Sequence, residues 1–483
     1  MTTPVTILSH PVRLRVMGKY LGQLFVVLAI LTTIPLLAAL LFHEYPFAWH
    51  YCIVVVVLAL VGKTLANIEA PSEIYNNEAI LITVLIFVLT AIIMTFPLLK
   101  VELSFSDALF ESISAITTTG LSTRDTVSAV PKTLLFARAW MQWVGGLGIV
   151  ALSFVFVIGP GKLARKLAGY EGHGEDIVGS TRSLAQRALI VYTLLTVLCT
   201  LLLLTFNVDI FSAISHAFAA VSTGGFSIYD NSLAGLPGFH IAVIVLFFSL
   251  CGSIPLLLYY DSTQHGWRFF FRNAQFKALV TCSVLLIVMM TWSLYANSAL
   301  TLGDAFTHGA LLAVSAQTTT GFTTISLAKL DNTSQILLIL SMTVGGSLGS
   351  TAGGIKLFRL LIFLKLLQVI LQRSALPSHA VIEPDLQREK LKSEDIEKAF
   401  VVILLYITTI LLSWLLFVIY GYPGIEALFE VTSATATVGL STGISRAELE
   451  PLLKGVLCFD MLAGRLEIIA LLIMFYPKNW ISH

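Results

Sequence analysis

ALFESISAITTTGLS (Ala108–Ser122), AISHAFAAVSTGGFS (Ala213–Ser227), GALLAVSAQTTTGFT (Gly309–Thr323) and ALFEVTSATATVGLS (Ala427–Ser441) are four versions of one segment, and their recurrence decides the fold. Set on Gly120, Gly225, Gly321 and Gly439, they share an alanine five places back (Ala115, Ala220, Ala316, Ala434) and a threonine two places back (Thr118, Thr223, Thr319, Thr437). Leu121, Phe226, Phe322 and Leu440 follow the glycine, and a hydroxyl comes next at Ser122, Ser227, Thr323 and Ser441. A pattern recurring in register at this spacing is an internal repeat. Gly- and Thr-rich helix caps, the plainer alternative, need no such shared neighbours.

Outward from each copy the chain is apolar. Of 483 residues, 57% are hydrophobic and 12% charged, against roughly 25% charged in a soluble domain. A mean hydropathy of +0.88 cannot be hidden in one soluble core, so the surface faces lipid and a soluble enzyme is excluded. A span needs about 20 apolar residues. Such runs lie near Tyr20–Phe42, Ala48–Ala66, Ala79–Leu99, Thr133–Ile158, Ala188–Phe206, Phe239–Tyr260, Ala278–Tyr295, Ile336–Leu371, Ala399–Ile419 and Leu453–Tyr476. The first follows Arg13, Arg15 and Lys19 like a signal peptide, but it exceeds a signal's core of roughly 7–15 residues and is expected to remain as a membrane helix.

The expected fold is an all-α polytopic membrane protein of about ten transmembrane helices. Residues 1–75 form two helices outside the repeat. Four units of helix, re-entrant loop and helix follow at 76–160, 185–262, 275–372 and 396–478, around a pseudo-fourfold pore. With the N-terminus inside, the outer Lys and Arg are Lys100, Arg124, Lys132, Lys329, Arg446 and Lys454; Arg138 and Arg465 fall within helices and the rest of the 29 lie inside. That asymmetry orients the chain with both termini cytoplasmic. The net charge of +1 supplies no basic field for nucleic acid. Cys52, Cys199, Cys251, Cys282 and Cys458 stand singly in apolar stretches and read as core residues.

Non-helical backbone at membrane depth survives only where protein or a watery cavity surrounds it. Four such tails must therefore converge on one polar axis. Glycine opens backbone angles closed to other residues, turning successive carbonyls inward to replace an ion's water shell. With no carboxylate at the tip, and with half-helix C-terminal ends directed inward, the arrangement suits a monovalent cation. The candidate filter is Thr118, Thr119, Gly120, Thr223, Gly224, Gly225, Thr319, Thr320, Gly321, Thr437, Val438 and Gly439.

These TTTGLS, STGGFS, TTTGFT and ATVGLS segments, with two preceding helices and the stretch GGSLGSTAGGIK, resemble the Trk/Ktr/HKT superfamily of potassium transporters, and most nearly its bacterial Trk-type membrane subunit. The resemblance covers essentially the whole chain. It implies potassium uptake across the cytoplasmic (inner) membrane, with K+ as substrate and no covalent cofactor. It also implies a homodimer and a cytoplasmic nucleotide-binding partner ring of the RCK type. Gly224 and Val438 stand where the other copies carry Thr119 and Thr320, so the ring is chemically uneven.

The run Ile336–Leu371 is too long for one straight span and carries Gly345, Gly346, Gly349, Gly353 and Gly354. Glycine destabilises helix by up to about 1 kcal/mol per residue, so a break with Ser347, Ser350 and Thr351 facing the pore is expected. The alternative is close helix packing on small residues. The resemblance implies a gate here, ending at Lys356. Arg465 lies halfway along the last run, where a charge costs at least about 2.5 kcal/mol. It resembles the family's pore arginine; pairing with Glu467 or Asp460 is the competing reading. Arg138, near a helix end, is expected to snorkel to the interface. Glu111 and Glu430, nine places before their glycines, with His216 in the second copy, draw cations or pair with Arg124 and Arg446. The charged stretch Glu383–Lys398 is a solvated connection that could dock the ring.

Three function classes separate on these features. An alternating-access carrier calls for inverted halves, whereas these four copies share one orientation. An intramembrane enzyme needs a catalytic constellation in the spans, and none is present. Within ion transport, a sodium-permeable or cotransporting member remains open beside potassium uptake, as does the coupling ion.

Overall fold

The computed structural model describes residues 11–71, 73–101, 103–124, 126–158, 177–298, 300–375, 383–386, 389–477 and 480. Lys162, Arg165, Lys166, Arg388 and Lys478, assigned to the inner side above, lie outside the described residues. Among the described residues the one sheet is a hairpin pairing Asp385–Leu386 with Glu389–Lys390, and the fold is all-α.

Among the described residues seven helices are long and apolar enough to cross a membrane: Leu14–Leu41, Tyr45–Ala66, Asn77–Val101, Lys132–Ala151, Ser183–Thr205, Ala274–Asn297 and Ser393–Ile419. The other apolar runs hold broken helices. Phe239–Gly252 and Leu256–His265 meet at 79°. Asn332–Thr343 and Leu357–Ser374 flank an irregular loop, and Pro451–Leu466 gives way to Ile468–Phe475 at Glu467. Only the middle break is legible in the glycine pattern. The first forms at Pro255, which has no N–H to continue a helix. The last forms where Glu467 takes φ +59°, its carboxylate held 2.6 Å from Arg359.

At the centre stand four short helices, Phe105–Ile116, Ile210–Val221, Leu302–Gln317 and Gly424–Thr435, one per repeat. A 12-residue helix such as Phe105–Ile116 reaches about 18 Å, well short of a hydrocarbon core of about 30 Å. Their starts are set by the sequence. Side chains of Ser104, Asp209 and Thr301 accept the N–H of Asp107, Ser212 and Asp304, satisfying a donor that has no partner within the helix. The fourth starts after Pro423, with its φ pre-set for the turn.

The second long helix of three repeats crosses the end of its own short helix on a glycine. A Cβ at Gly145, Gly252 or Gly464 would come within 1.9, 2.4 and 1.7 Å of the carbonyl oxygens of Ile116, Val221 and Thr435. In the third repeat that carbonyl belongs to Gln317, whose amide instead donates to Val344 O at 2.7 Å, where the helix breaks. The short helices are therefore enclosed by the long ones, whose outward faces expose Leu and Val to lipid, as at Leu404 and Val288.

Candidate functional site

All four short helices end alike. The N–H of Thr118, Thr223, Thr319 and Thr437 bonds the carbonyl of Ala115, Ala220, Ala316 and Ala434 at 2.9–3.1 Å. The next N–H reaches further back, Thr119 to Ser114, Gly224 to Ala219, Thr320 to Ser315 and Val438 to Ser433, at 2.7–2.9 Å. This is the Schellman ending, usually built on glycine. Here threonine holds the left-handed residue, with φ +54°, +52°, +54° and +51°. At about 1–2 kcal/mol each, the same costly angle has been kept in four places, which marks a site shaped for something other than stability.

Two residues on, Gly120, Gly225, Gly321 and Gly439 take φ +87°, +74°, +83° and +91°. A Cβ on Gly120 would meet Gly224 O at 2.3 Å, one on Gly225 would meet Thr320 O at 1.9 Å, one on Gly321 would meet Val438 O at 1.9 Å, and one on Gly439 would meet Thr119 O at 2.2 Å. Each tail touches the next in chain order, and the fourth returns to the first. The tails thus close a ring of main-chain oxygens around one centre.

On one side of the ring the four glycines line a cavity of about 630 Å³, with Ser122, Ser227, Thr323 and Ser441 on its walls. Behind the walls each tail is pinned. Glu111 accepts from Ser122 Oγ at 2.5 Å and Thr123 N at 3.0 Å; Glu430 accepts from Ser441 Oγ at 2.7 Å and the N–H of Thr442 and Ser445 at 3.1 Å. His216 Nε2 lies 3.2 Å from Ser227 Oγ. The third copy carries Leu312 in that column, and its tail is held from the neighbouring unit, by Ser232 Oγ donated to from Thr323 N at 3.2 Å. Asp230 links units one and two, accepting from Val127 N at 2.5 Å, Ser128 N at 3.0 Å and Ser128 Oγ at 2.5 Å. The Ser128 hydroxyl, then the two N–H groups, hold its carboxyl below the usual carboxylate range. Lys454 closes units four and one, 2.5 Å from Asp107 with both side chains buried.

Beneath the ring lies the glycine-rich loop. Val344–Lys356 is not helical, which removes the small-residue helix-packing alternative. It is fastened to the third tail, where Gly353 N donates to Thr319 Oγ1 at 2.6 Å, and packs closely on two others: Thr351 Oγ1 lies 3.3 Å from Thr223 Oγ1, and a Cβ on Gly353 would meet Thr437 Oγ1 at 2.2 Å. Thr351 Oγ1 lies 3.0 Å from both Val221 O and Gly252 O and directs its one proton to that pair of carbonyls. From below, Arg465 Nη1 donates to Thr351 O at 2.7 Å, while Arg465 Nε and Nη2 have no partner among the described residues. Lys356 bonds Ala352 O. Gly354, Lys356, Arg359, Arg465 and Glu467 border a second, small cavity.

The structure corrects four readings of individual charges. Arg138 does not snorkel: it is 3% exposed, 3.1 Å from Glu111 and 3.9 Å over the Phe226 ring, because the vestibule wall supplies a carboxylate and a π-face at hand. Glu111 thus takes Arg138 as its salt-bridge partner rather than Arg124, and Arg446 sits 3.7 Å from Glu448 rather than on Glu430. Arg465 pairs with neither Glu467, which bonds Arg359, nor Asp460, which accepts from Ser413 at 2.8 Å. Residues not singled out from the sequence are Gln142, Asp107 and Lys454; a glutamine within an apolar run was the one visible signal.

The family model described as TrkH, cation transport protein, matches residues 50–482. An uncharacterized cation transporter of Methanocaldococcus jannaschii is 30% identical over 458 residues, 94% of each chain. The Trk system potassium uptake protein TrkH of Escherichia coli is 29% identical over 484 residues, covering 96% of this chain and 99% of that one. The crystal structure of the potassium transporter TrkH from Vibrio parahaemolyticus superposes with a TM-score of 0.86 at 26% identity, covering 97% of this chain and all of that one.

Proposed function

This multi-pass membrane chain belongs to the TrkH family of cation transport proteins, and we propose that it takes up potassium across the cytoplasmic membrane through a filter made of Thr118–Gly120, Thr223–Gly225, Thr319–Gly321 and Thr437–Gly439. The observation that carries the reading is the closed order of contacts, each filter glycine against the next tail's carbonyl oxygen. Such a ring replaces the water shell of a monovalent cation with main-chain dipoles. The converging C-terminal ends of the four short helices add negative potential at the same centre. The relatives named as potassium uptake proteins support potassium as the ion.

In this reading the segment Gly345, Gly346, Gly349, Gly353, Gly354 and Lys356 is a gate beneath the filter, and Arg465 is its latch and electrostatic barrier. The Gly353 N–H on Thr319 Oγ1 supports that role, since a loop tied to a tail must move for an ion to descend. The family membership supports a homodimer and a cytoplasmic RCK-type nucleotide-binding ring. The hairpin beginning at Asp385, tied to the third unit by Lys365 at 3.2 Å, offers that ring a lever on the helix leaving the gate.

Rubidium and sodium uptake in cells lacking their own potassium uptake tests the filter. Gly120→Ser and Gly439→Ser each drive a side chain onto a ring oxygen, so discrimination between rubidium and sodium is expected to fall at least tenfold. Unchanged discrimination in both variants, at parental membrane levels, refutes the assignment.

A further inference from the structure

The second tail is the one copy with no side chain directly before its ring glycine: Gly224 stands where the others carry Thr119, Thr320 and Val438. The space is filled from another helix. Gln142, fully buried on Lys132–Ile158, lies so close that a Cβ on Gly224 would meet its Cδ at 2.4 Å, its Oε1 at 2.6 Å and its Nε2 at 2.8 Å. The amide is also bonded twice. Nε2 donates to Gly224 O at 2.5 Å and Oε1 accepts from Phe226 N at 3.2 Å. A flipped amide would set oxygen against oxygen and N–H against N–H, so the two bonds fix its orientation.

We propose that Gln142 is the positioning and selectivity-determining residue of the second filter tail, standing in for the missing side chain and holding one ring oxygen at a set distance from the axis. This rests on the filter reading above. Gly224 O is the oxygen touched by Gly120 in the ring. A carbonyl oxygen has two lone pairs, and here one is engaged by a side-chain donor. Among the described residues no side chain donates to Thr119 O, Thr320 O or Val438 O. The ring therefore has one tethered oxygen and three held only by their own backbone. The Gln142 amide spans Gly225, fixing the peptides on both sides of a residue that without a side chain has unusual freedom to rotate.

The test measures rubidium over sodium uptake in Gln142→Leu, Gly224→Thr and the double variant Gln142→Ala/Gly224→Thr, beside Gly120→Ser as reference. Gln142→Leu roughly keeps the volume and removes both bonds; discrimination is expected to fall about fivefold, the scale of the one net hydrogen bond that holds the ring oxygen. Gly224→Thr alone is expected to lose uptake through the collision with Gln142. The double variant is expected to recover it, because the threonine then occupies the vacated space as Thr119 and Thr320 do in their own tails. Full discrimination in Gln142→Leu, while Gly120→Ser has lost it, overturns the proposal and leaves the filter intact. So does a Gly224→Thr variant that transports normally with Gln142 in place. If Gly120→Ser is also unchanged, the filter reading itself has failed and the role of Gln142 falls with it.

Discussion

Replacing Arg465 by alanine should remove the proposed latch under the proposed gate. Arg465 is 3% exposed, and among the described residues its guanidinium makes one hydrogen bond, 2.7 Å to the carbonyl of Thr351. A hydrogen bond from a charged donor contributes about 1.5–3 kcal/mol, and each 1.4 kcal/mol is a factor of ten, so the population with the loop released should rise roughly 10- to 150-fold. A second effect has the same sign. A fixed positive charge near the path repels a cation, by about 4 kcal/mol at 4 Å in an effective dielectric of 20, and alanine abolishes that barrier. Rubidium influx into potassium-uptake-deficient cells, normalised to the amount of protein in the membrane, should therefore increase and depend less on any cytoplasmic regulator. Arg465→Lys separates the two causes. Lysine keeps the charge on a shorter head without the planar donor fork, so parental flux in the lysine variant assigns the effect to charge, and alanine-like flux assigns it to the lost bond. Equal influx for parent and Arg465→Ala, at equal membrane levels, refutes the reasoning.

The seam between the last and first units should depend on the buried pair Lys454–Asp107. Lys454→Met leaves Asp107 uncompensated and should cost about 3–5 kcal/mol, lowering the unfolding temperature in detergent; Lys454→Met with Asp107→Asn should regain most of it. The Asp230 link between units one and two should titrate. Its carboxyl is held below the ordinary value near 3.8, so its contribution is complete above that value and is lost as pH falls through the lowered native one. Asp230→Asn should melt lower than the parent at pH 6, and the gap should narrow as the pH falls below 3.8; a gap that does not narrow there assigns the difference to something other than this ionisation.

The four tails were visible as aligned columns because each tail must pass its neighbour without a Cβ, which selects Gly at one fixed place, and because each half-helix ends in the same left-handed turn on a threonine that backbone preference alone would not choose. The break in the third unit was visible for a related reason, since glycine at that density cannot sustain a helix. The breaks at Pro255 and Glu467 were hidden inside runs whose apolar composition is that of an unbroken span. The charges deceived most. Composition placed Arg138 near an interface, but its partners, Glu111 and Phe226, come from a different segment of its own unit and from the second unit.

What the sequence determined alone is periodic or compositional: a lipid-facing all-helical chain, a segment used four times, and glycine where backbone must approach backbone. Those features are written in each stretch by the solvent it meets and the angles it adopts. What the tertiary structure decided is which residues face one another across the axis: the order in which the tails close, Gln142 behind Gly224, Arg465 beneath Thr351 and Lys454 on Asp107. Such pairings join residues up to 347 positions apart, and no local propensity encodes them, because each side chain's partner is chosen by the packing of helices whose own sequences only require that they be buried.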